Sequence, residues 1–260
     1  MILLVDIGNT NIKMRLDERE ECLILKSKVK YDLSMFGGLL PLEFKTSIDG
    51  AIISSVVPES TEMISSLIKE YYEVLPLVVD SNFKTKIEYK DSVKKEIGSD
   101  MFSALDGASI LNDTFLSIDM GTGTTFNLVI NNKHIGTTIA PGLMVSHNAF
   151  IKEASLIDEI SLEGELKLLG DDTISALRSG TVNGFTYLVD GFINSIKKEY
   201  KLPNLKVFLS GGNSRYIINN LRNKVDNTHN LIFMGLAHLY KLNEENNEKV
   251  FDYRWKQRDV

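Results

Sequence analysis

The sequence predicts an α/β fold made of two similar lobes. One observation is a turn that occurs twice, within residues 1–16 and again within residues 115–130. Each time an apolar strand ends in an aspartate, a glycine and small polar residues follow, and apolar alternation resumes. The other observation is the order of the residue patterns between the two turns. Segments with the pattern of strands come first, and segments with the patterns of helices and strands then alternate. A repeated unit of this size predicts one lobe at residues 1–113 and a second at residues 114–260.

The composition is that of a globular protein with a large core. Of 260 residues, 43% are hydrophobic and 25% are charged. The net charge of -6 argues against nucleic acid as a partner, because binding to a polyanion is driven by basic residues. The single cysteine, Cys22, excludes an internal disulfide, and we predict that it is a small buried residue in a strand.

The apolar start of the chain does not have the features of a signal peptide. Met1 to Val5 lacks a basic region before it, and Asp6 interrupts the apolar run. No later apolar stretch approaches the length of a membrane span. We therefore predict a cytoplasmic protein with no membrane partner.

The first turn has the residue types of a phosphate site. Its glycine lets the backbone approach a ligand closely, and the amides and hydroxyls after it can cradle phosphate oxygens. A carboxylate at the end of a buried strand is a suitable anchor for Mg²⁺ or its water shell. The predicted phosphate-binding residues of this turn are Asp6, Gly8, Asn9, Thr10 and Asn11.

The rest of the first lobe continues with one more strand and then alternates helices with strands. The predicted elements are a third strand within Glu21 to Lys28, a helix within Tyr31 to Phe44 interrupted at Gly37-Gly38, a buried strand at Gly50 to Pro58, an amphipathic helix with Met63, Ile64, Leu67, Ile68 and Tyr71 on one face, and a strand at Leu75 to Val79. This order is typical of a ribonuclease-H-like lobe.

A polar stretch, Lys84 to Glu96, is predicted to be a loop that carries Tyr89. It ends at Gly98-Ser99-Asp100, and an apolar helical stripe follows from Met101 to Leu111. Asp100 is therefore expected at a helix N-terminus. There it either stabilises the helix dipole or serves as a catalytic carboxylate, and the pattern alone leaves both interpretations open.

The second lobe begins with the hairpin Phe115 to Ile130, which holds Asp119, Gly121 and Thr122. A third strand runs from His134 to a Pro-Gly turn at Gly142, and residues 146–169 have mixed helical and loop patterns.

Asp171-Asp172-Thr173 is a helix-start signal, and a long helix follows it. Gly180, Gly184 and Gly191 would weaken this helix unless it packs closely against another element, so it could form a subunit interface.

Leu205 to Ser214 is predicted to be a strand that ends in a Gly211-Gly212 turn before a further helix. That turn is either an ordinary strand-to-helix loop or a place where backbone approaches a ligand. A final amphipathic helix covers Leu231 to Leu242, and a charged, peripheral tail follows from Asn243.

Two aspartate-bearing turns and a glycine-rich loop, all at strand ends, suit a nucleoside triphosphate. The fold expected is α/β, with two ribonuclease-H-like lobes around a nucleotide cleft. Phosphoryl transfer also needs a base beside the acceptor hydroxyl. The four histidines have no patterned acidic partner, and the chain contains no Walker A, His-Glu-x-x-His or Gly-x-Ser-x-Gly motif. The base should therefore be a carboxylate, and Asp100 is the best placed.

Taken together, the motifs resemble the type III pantothenate kinases, which belong to the acetate and sugar kinase, heat-shock protein and actin superfamily. The resemblance extends to about Asn243. The matching motifs, in chain order, are Asp6-Ile7-Gly8-Asn9-Thr10-Asn11, Ile53-Ser54-Ser55-Val56-Val57-Pro58, Gly98-Ser99-Asp100, Asp119-Met120-Gly121-Thr122-Gly123-Thr124-Thr125, Ile139-Ala140-Pro141-Gly142 and Ser210-Gly211-Gly212.

This resemblance implies ATP-dependent phosphorylation of pantothenate to 4′-phosphopantothenate, the first step of coenzyme A synthesis. It implies that Asp100 is the base, that Asp6 holds Mg²⁺ through water, and that Asp119 is linked to a monovalent cation, K⁺ or NH₄⁺. The ATP phosphates would be handled by the first turn together with Lys13, Gly121, Thr122, Gly211 and Gly212. The pantothenate site would include Tyr89, Gly98, Ser99, Asp100 and Met101, with Thr173 reaching the pocket of the other subunit of a homodimer.

One departure from the family pattern affects the acceptor site. The family usually carries arginine directly after the position of Asp100, and this chain has Met101. Loss of a guanidinium removes a bidentate donor for a carboxylate or carbonyl oxygen. Either another cation such as Arg178 or Lys94 replaces it, or affinity for pantothenate is low, or the acceptor is a different small molecule. A catalytically weak homologue with a regulatory or binding role is the remaining alternative.

Overall fold

The computed structural model describes residues 1–154, 160–228 and 230–244, and it contains two five-stranded sheets. The strands are β1 (Ile2–Ile7), β2 (Asn11–Leu16), β3 (Cys22–Lys26), β4 (Gly50–Ser55), β5 (Leu77–Val78), β6 (Phe115–Met120), β7 (Gly123–Ile130), β8 (Lys133–Pro141), β9 (Lys206–Ser210) and β10 (Asp226–Asn227). The α-helices are α1 (Leu33–Leu39), α2 (Pro58–Tyr72), α3 (Asp91–Glu96), α4 (Ser99–Leu111), α5 (Leu143–Glu153), α6 (Thr173–Glu199) and α7 (Leu231–Asn243).

The two sheets have the same connectivity. The first has the strand order β3-β2-β1-β4-β5, and the second has β8-β7-β6-β9-β10. In each sheet the first three strands form an antiparallel meander, and the fourth and fifth add in parallel on the other side. The internal repeat and the two-lobe α/β fold predicted from the sequence are thereby confirmed.

The chain divides into two units. The first unit comprises Met1–Leu111 and the chain from Asn230, and the second comprises Asn112–His229. The sequence-based boundary had assigned all residues after 113 to the second lobe. The structure differs because α7 packs on α4 of the first unit, closely enough that a Cβ on Gly235 would lie 1.7 Å from the Ser103 carbonyl oxygen. In the same way, a Cβ on Gly107 of α4 would lie 2.0 Å from the Leu231 carbonyl oxygen.

The first sheet is covered on both faces, and this decides where Asp6 points. Leu3, Val5 and Ile7 of β1 belong to a core formed with α1 and α2. Leu4 belongs to a separate core formed with α4 and α7. Successive side chains of a strand alternate between faces, so the Asp6 side chain lies on the α4 and α7 face.

Four local predictions were wrong. The helix expected after the Gly211-Gly212 turn is a pair of short 3-10 helices, Gly212–Tyr216 and Ile218–Asn220. Cys22 is exposed at the start of β3, an edge strand of its sheet. Residues 91–96 of the predicted loop form α3, and α1 runs through Gly37-Gly38 without interruption.

The interface predicted for α6 stays a prediction. A Cβ on Gly180, Gly184 or Gly191 would have nothing of the described chain within 4 Å, so the close packing expected of these glycines would have to come from a second subunit.

The predicted charged tail lies, beyond Glu244, outside the described residues. Among the helices that the structure describes, none has the length and apolar character needed to cross a membrane.

Candidate active site

The turn between β1 and β2 is held in shape by its own backbone and by one buried serine. The Gly8 amide donates to the Asn11 carbonyl oxygen at 3.0 Å. The Ser27 hydroxyl donates to the Gly8 carbonyl oxygen at 2.5 Å, and the Ser27 amide donates to the Thr10 carbonyl oxygen at 3.1 Å. Asn9 and Thr10 remain exposed. The turn is therefore preformed, with polar groups directed to solvent.

Asp6 is the last polar side chain before this turn, and it is 8% exposed. In the sheet register it lies opposite Lys13 of β2 and opposite Ser54 of β4. Lys13 is exposed, so the region beside Asp6 combines a carboxylate, a hydroxyl and an ammonium group on one sheet face. Such a set suits a phosphate chain with its metal ion.

Ser99 fixes the start of α4 to the end of β4. Its hydroxyl accepts from the Ser55 amide at 2.8 Å and donates to the Ser55 carbonyl oxygen at 2.8 Å. The Ser54 hydroxyl donates to the Ser99 hydroxyl oxygen at 3.2 Å. Because Ser54 is the β4 residue opposite Asp6, the first turn of α4 begins at the same end of the sheet, on the same face, as Asp6.

Asp100 lies in the first turn of α4 and is partly exposed. Its Oδ1 accepts from the Met101 amide at 2.7 Å, which stabilises the carboxylate charge at the positive end of the helix. A Cβ on Gly98 would lie 2.7 Å from this Oδ1. The glycine therefore leaves room for the carboxylate to fold back over the start of the helix.

Tyr89 packs against the same helix. Its ring stacks on Phe102 with centroids 5.5 Å apart and planes 26° apart. Burial raises the pKa of the Tyr89 phenol far above its ordinary value, and the charge of Asp106 adds to the effect, so the phenol stays neutral. In the first unit, Tyr89 and Gly98 thus lie beside the first turns of α4, the helix that contains Ser99, Asp100 and Met101.

In the second unit the turn after β6 is tied to the turn after β9. Asp119 Oδ1 accepts from the Ser210 hydroxyl at 2.8 Å. Asn213 Nδ2 donates to the Gly121 carbonyl oxygen at 2.9 Å. Gly211 has φ 88°, and a Cβ there would lie 2.4 Å from the Met120 amide nitrogen, so only glycine fits. Asp119, Gly121 and the Gly211-Gly212 turn therefore form one cluster at the ends of β6 and β9.

Thr122 and Thr173 occupy exposed positions in the second unit. Thr122 is at the tip of the β6 to β7 turn, where its carbonyl oxygen accepts from the Gly142 amide at 3.0 Å. Thr173 is the first residue of α6, whose N-cap is Asp172 in a capping box with Ser175. The predicted helix start is confirmed.

The two cations considered as replacements for the missing arginine both hold loops. The Arg178 guanidinium donates to the carbonyl oxygens of Ser161 and Glu165 at 3.2 to 3.4 Å. Lys94 Nζ donates to the Phe83 carbonyl oxygen at 3.3 Å. Either side chain would therefore have to break these hydrogen bonds before it could bind an acceptor.

The contacts of the histidines were predicted least well from the sequence. His147 is buried, and its ring nitrogens lie 3.1 Å from Thr181 Oγ1 and from the Ile160 carbonyl oxygen, a structural arrangement. His238, for which no acidic partner was expected, has Nδ1 2.6 Å from Asp106 Oδ2. Asp106 and His238 lie on different helices, and no local pattern in the sequence links them. His229 lies outside the described residues.

Within the described ranges, no three His, Cys, Asp or Glu side chains are grouped so that they could hold a metal ion by themselves. Asp6 and Asp119 are instead single carboxylates beside polar turns. Such sites suit cations that also take oxygen ligands from phosphate and water.

Several solved structures share this fold. MreB5 of Spiroplasma citri bound to AMPPNP has a TM-score of 0.50 at 13% identity, covering 95% of this chain and 98% of that one. A protein described as an N-acetylmannosamine kinase from Listeria monocytogenes has a TM-score of 0.52 at 13% identity, covering 94% and 99%. A protein described as a Baf family transcriptional activator from Campylobacter jejuni has a TM-score of 0.55 at 21% identity, covering 94% and 99%. The chain thus has the two-lobe α/β fold of actin-like proteins and sugar kinases.

Sequence comparison narrows this class to one family. The family model described as type III pantothenate kinase matches residues 2–195. The type III pantothenate kinase of Pelagibacter ubique is 34% identical over 249 residues, covering 91% of this chain and 97% of its own length. That of Acholeplasma laidlawii is 32% identical over 251 residues, covering 94% and 99%. This chain belongs to the type III pantothenate kinase family. It is therefore a kinase that uses ATP and a small-molecule substrate.

Proposed function

We propose that this kinase transfers the γ-phosphoryl group of ATP to the hydroxyl group of pantothenate, giving 4′-phosphopantothenate and ADP at the first step of coenzyme A biosynthesis. The family match over residues 2–195 carries the proposal. The local geometry supports it, because the Ser54 to Ser99 contact sets Asp100 at the same end and face of the first sheet as Asp6.

Asp100 is the group that receives the acceptor proton. The pantothenate hydroxyl oxygen bonds to the γ-phosphorus, the bond from phosphorus to the bridging oxygen of ADP breaks, and the hydroxyl proton passes to the carboxylate. The Met101 amide already donates to Oδ1. Asp100 then orients the hydroxyl and takes its proton late in the reaction.

The turn of residues 8–11 would bind ATP phosphates with Lys13, and Asp6 would hold Mg²⁺ through water. When bound, the metal would neutralise charge on the phosphates. The residues present suit both ligands. Asp6 supplies a nearly buried carboxylate for the metal, and the preformed turn beside it supplies exposed hydroxyl and amide groups for the phosphates.

Asp119 is the proposed monovalent cation site, for K⁺ or NH₄⁺. The Ser210 hydroxyl orients its carboxylate. A Cβ on Gly121 would lie 3.2 Å from Oδ2, so the glycine leaves space for an ion beside that oxygen. Thr122, Gly211 and Gly212 are assigned to the phosphate side of this unit.

Tyr89, Gly98, Ser99 and Met101 line the acceptor site in this proposal. Met101 offers no charge to the pantothenate carboxylate. We therefore expect weak affinity for pantothenate compared with a relative that has arginine at this position.

We further propose that the protein is a homodimer in which Thr173 of one subunit reaches the acceptor site of the other. The exposed first turn of α6 and its uncovered glycines support this arrangement. The net charge of -6 supports the absence of a nucleic-acid partner. The predicted cytoplasmic location stays a prediction.

A coupled assay of ADP release tests the function. We expect turnover with pantothenate, dependent on K⁺ or NH₄⁺, and little turnover with a panel of other small hydroxy acids. Turnover with a different acceptor only would replace pantothenate as the substrate. No turnover with any acceptor, together with binding to promoter DNA at physiological salt, would favour the regulatory alternative.

Asp100→Asn is the variant that tests the base. We expect kcat to fall by about 10²-fold to 10⁴-fold, because an amide does not accept the proton. The matched control is Asp91→Asn, an exposed carboxylate in the first turn of α3, which should keep the wild-type rate. Full activity of Asp100→Asn would remove Asp100 as the base.

A further inference from the structure

The segment that carries Tyr89, residues 84–89, is held by side chains that come from much later in the sequence. Asn243, at the end of α7, is 1% exposed. Its Oδ1 accepts from the Lys84 amide at 2.8 Å, and its Nδ2 donates to the Lys84 carbonyl oxygen at 3.0 Å. One buried amide side chain therefore satisfies both backbone groups of Lys84, and it fixes the point where the segment begins.

Asp106 of α4 holds the next two residues. This carboxylate is fully buried. Its Oδ1 accepts from the Thr85 hydroxyl at 2.6 Å and from the Lys86 amide at 3.2 Å, and its Oδ2 lies 2.6 Å from His238 Nδ1. A buried carboxylate is costly unless hydrogen bonds replace its water. Here those hydrogen bonds tie residues 85–86 to both α4 and α7.

Thr85 transmits this constraint toward Tyr89. Its hydroxyl, while donating to Asp106, accepts from the Ile87 amide at 3.2 Å. Ile87 is 3% exposed, which anchors the chain two residues before Tyr89. Tyr89 then stacks on Phe102, two residues after Asp100 on α4. The position of Tyr89 relative to Asp100 is thus set at both ends by contacts with the same helix.

We infer that Asn243, Asp106 and Thr85 are positioning residues for the phosphoryl acceptor. They hold Tyr89 against the first turns of α4 and so determine the affinity for the acceptor without touching it. This inference rests on the proposed function, in which Tyr89 lines the acceptor site. It assigns a role in the reaction to α7, a helix that contains none of the proposed site residues.

The test compares three variants by steady-state kinetics. Thr85→Val removes the hydroxyl at nearly constant volume, and Asn243→Ala breaks both bonds to the Lys84 backbone. Tyr72→Phe is the matched control, because it removes one hydroxyl that donates to a backbone carbonyl, that of Phe44, on the opposite face of the sheet. We expect KM for pantothenate to rise about threefold to tenfold in the first two variants, while KM for ATP and kcat change less than about twofold.

A double-mutant cycle with Tyr89→Leu separates positioning from general loss of stability. If Thr85 acts through Tyr89, Thr85→Val raises KM for pantothenate in the wild-type background and has no further effect when Tyr89 is already replaced. A lowered Tm with unchanged KM for pantothenate, or equal effects of Thr85→Val in both backgrounds, overturns the inference. An inactive wild-type protein overturns the proposed function itself, and the inference with it.

Discussion

At the scale of single residues, the position of the Asp100 carboxylate depends on the absence of a side chain at Gly98. A Cβ there would lie 2.7 Å from Asp100 Oδ1, the mobile end of a side chain. Rotation of the carboxylate would relieve the clash with little loss of stability. The substitution should therefore lower activity more than it lowers the free energy of unfolding. We expect Gly98→Ala to lower kcat with pantothenate at least about tenfold while the free energy of unfolding changes by less than about 1 kcal/mol.

Gly38→Ala is the control for this variant, because a Cβ on Gly38 of α1 would meet nothing within 4 Å. Kinetics with pantothenate and urea unfolding are measured for both proteins. Gly98→Ala with the wild-type kcat would show that the present orientation of Asp100 is not needed for the reaction.

Asp190 of α6 provides a prediction about pH. Its carboxylate accepts from the amides of Arg222 and Asn223 and from Asn223 Nδ2, at 2.8 to 3.0 Å. Burial by itself raises the pKa of Asp190, but these hydrogen bonds outweigh burial and leave the pKa below its usual value. The unfolded chain therefore binds the proton more tightly than the folded protein. The resulting stabilisation is complete above the unfolded pKa of about 3.9 and is lost as the pH falls through the folded pKa.

Asp190→Asn removes this titration while keeping a side chain of similar shape. We expect wild type to exceed the variant in unfolding free energy by about 1 to 3 kcal/mol at pH 7. The difference should shrink as the pH falls from about 5 toward 2. Urea unfolding at a series of pH values measures it, and a difference that stays constant with pH would contradict the assignment.

At the scale of elements, the crossing of α4 and α7 decides which unit the last helix joins. Gly107 and Gly235 let the two backbones approach, and a Cβ at Gly235 would meet the backbone oxygen of Ser103 rather than a movable side chain. The helices would have to separate to accept it. We expect Gly235→Ala to lower the free energy of unfolding by more than about 2 kcal/mol.

The control for the helix crossing is Gly136→Ala on β8, where an added Cβ has nothing within 4 Å. Its unfolding free energy should stay within about 1 kcal/mol of wild type. Because α7 also holds residues 84–86, the same Gly235→Ala protein should bind pantothenate less tightly. A Gly235→Ala protein as stable as wild type would mean that this close crossing is not required.

At the scale of the whole molecule, the features predicted correctly from the sequence are those that residues close together in the chain determine. These features are the two turns with the pattern Asp-x-Gly, the order of the strands and the start of α6 at Thr173. They follow from apolar alternation, glycines and a capping residue that lie near one another in the chain. The placement of α7 did not follow, because it depends on two glycines more than a hundred residues apart, Gly107 and Gly235, meeting in space.

The same reason explains what was missed around the candidate site. Ser27, Asn213 and the Asp106 to His238 pair act on the site through contacts that join distant segments. Nothing adjacent in the sequence marks them. Most of the residues proposed to meet ATP or the acceptor lie in short motifs at strand ends or helix starts, and these are recognisable locally.

The last prediction concerns assembly. A 27-residue helix rarely leaves glycines on an exposed face without a reason, since each weakens the helix by about 1 kcal/mol relative to alanine. Gly180, Gly184 and Gly191 share the exposed face of α6 with Tyr187, which is 48% exposed. Small residues at these spacings would let the same helix of a second copy approach closely in a twofold interface.

Gly184→Arg places a long charged side chain in the middle of that face, where a dimer would have to bury it. We expect wild type to sediment as a dimer and Gly184→Arg to dissociate at concentrations at least about tenfold higher, with pantothenate turnover falling as Thr173 is withdrawn from the partner. Asn219→Arg adds the same charge at an exposed position in the second 3-10 helix and should remain dimeric. Sedimentation across a concentration series decides the matter: a monomeric wild type, or a Gly184→Arg protein that associates as wild type does, would move the interface away from α6.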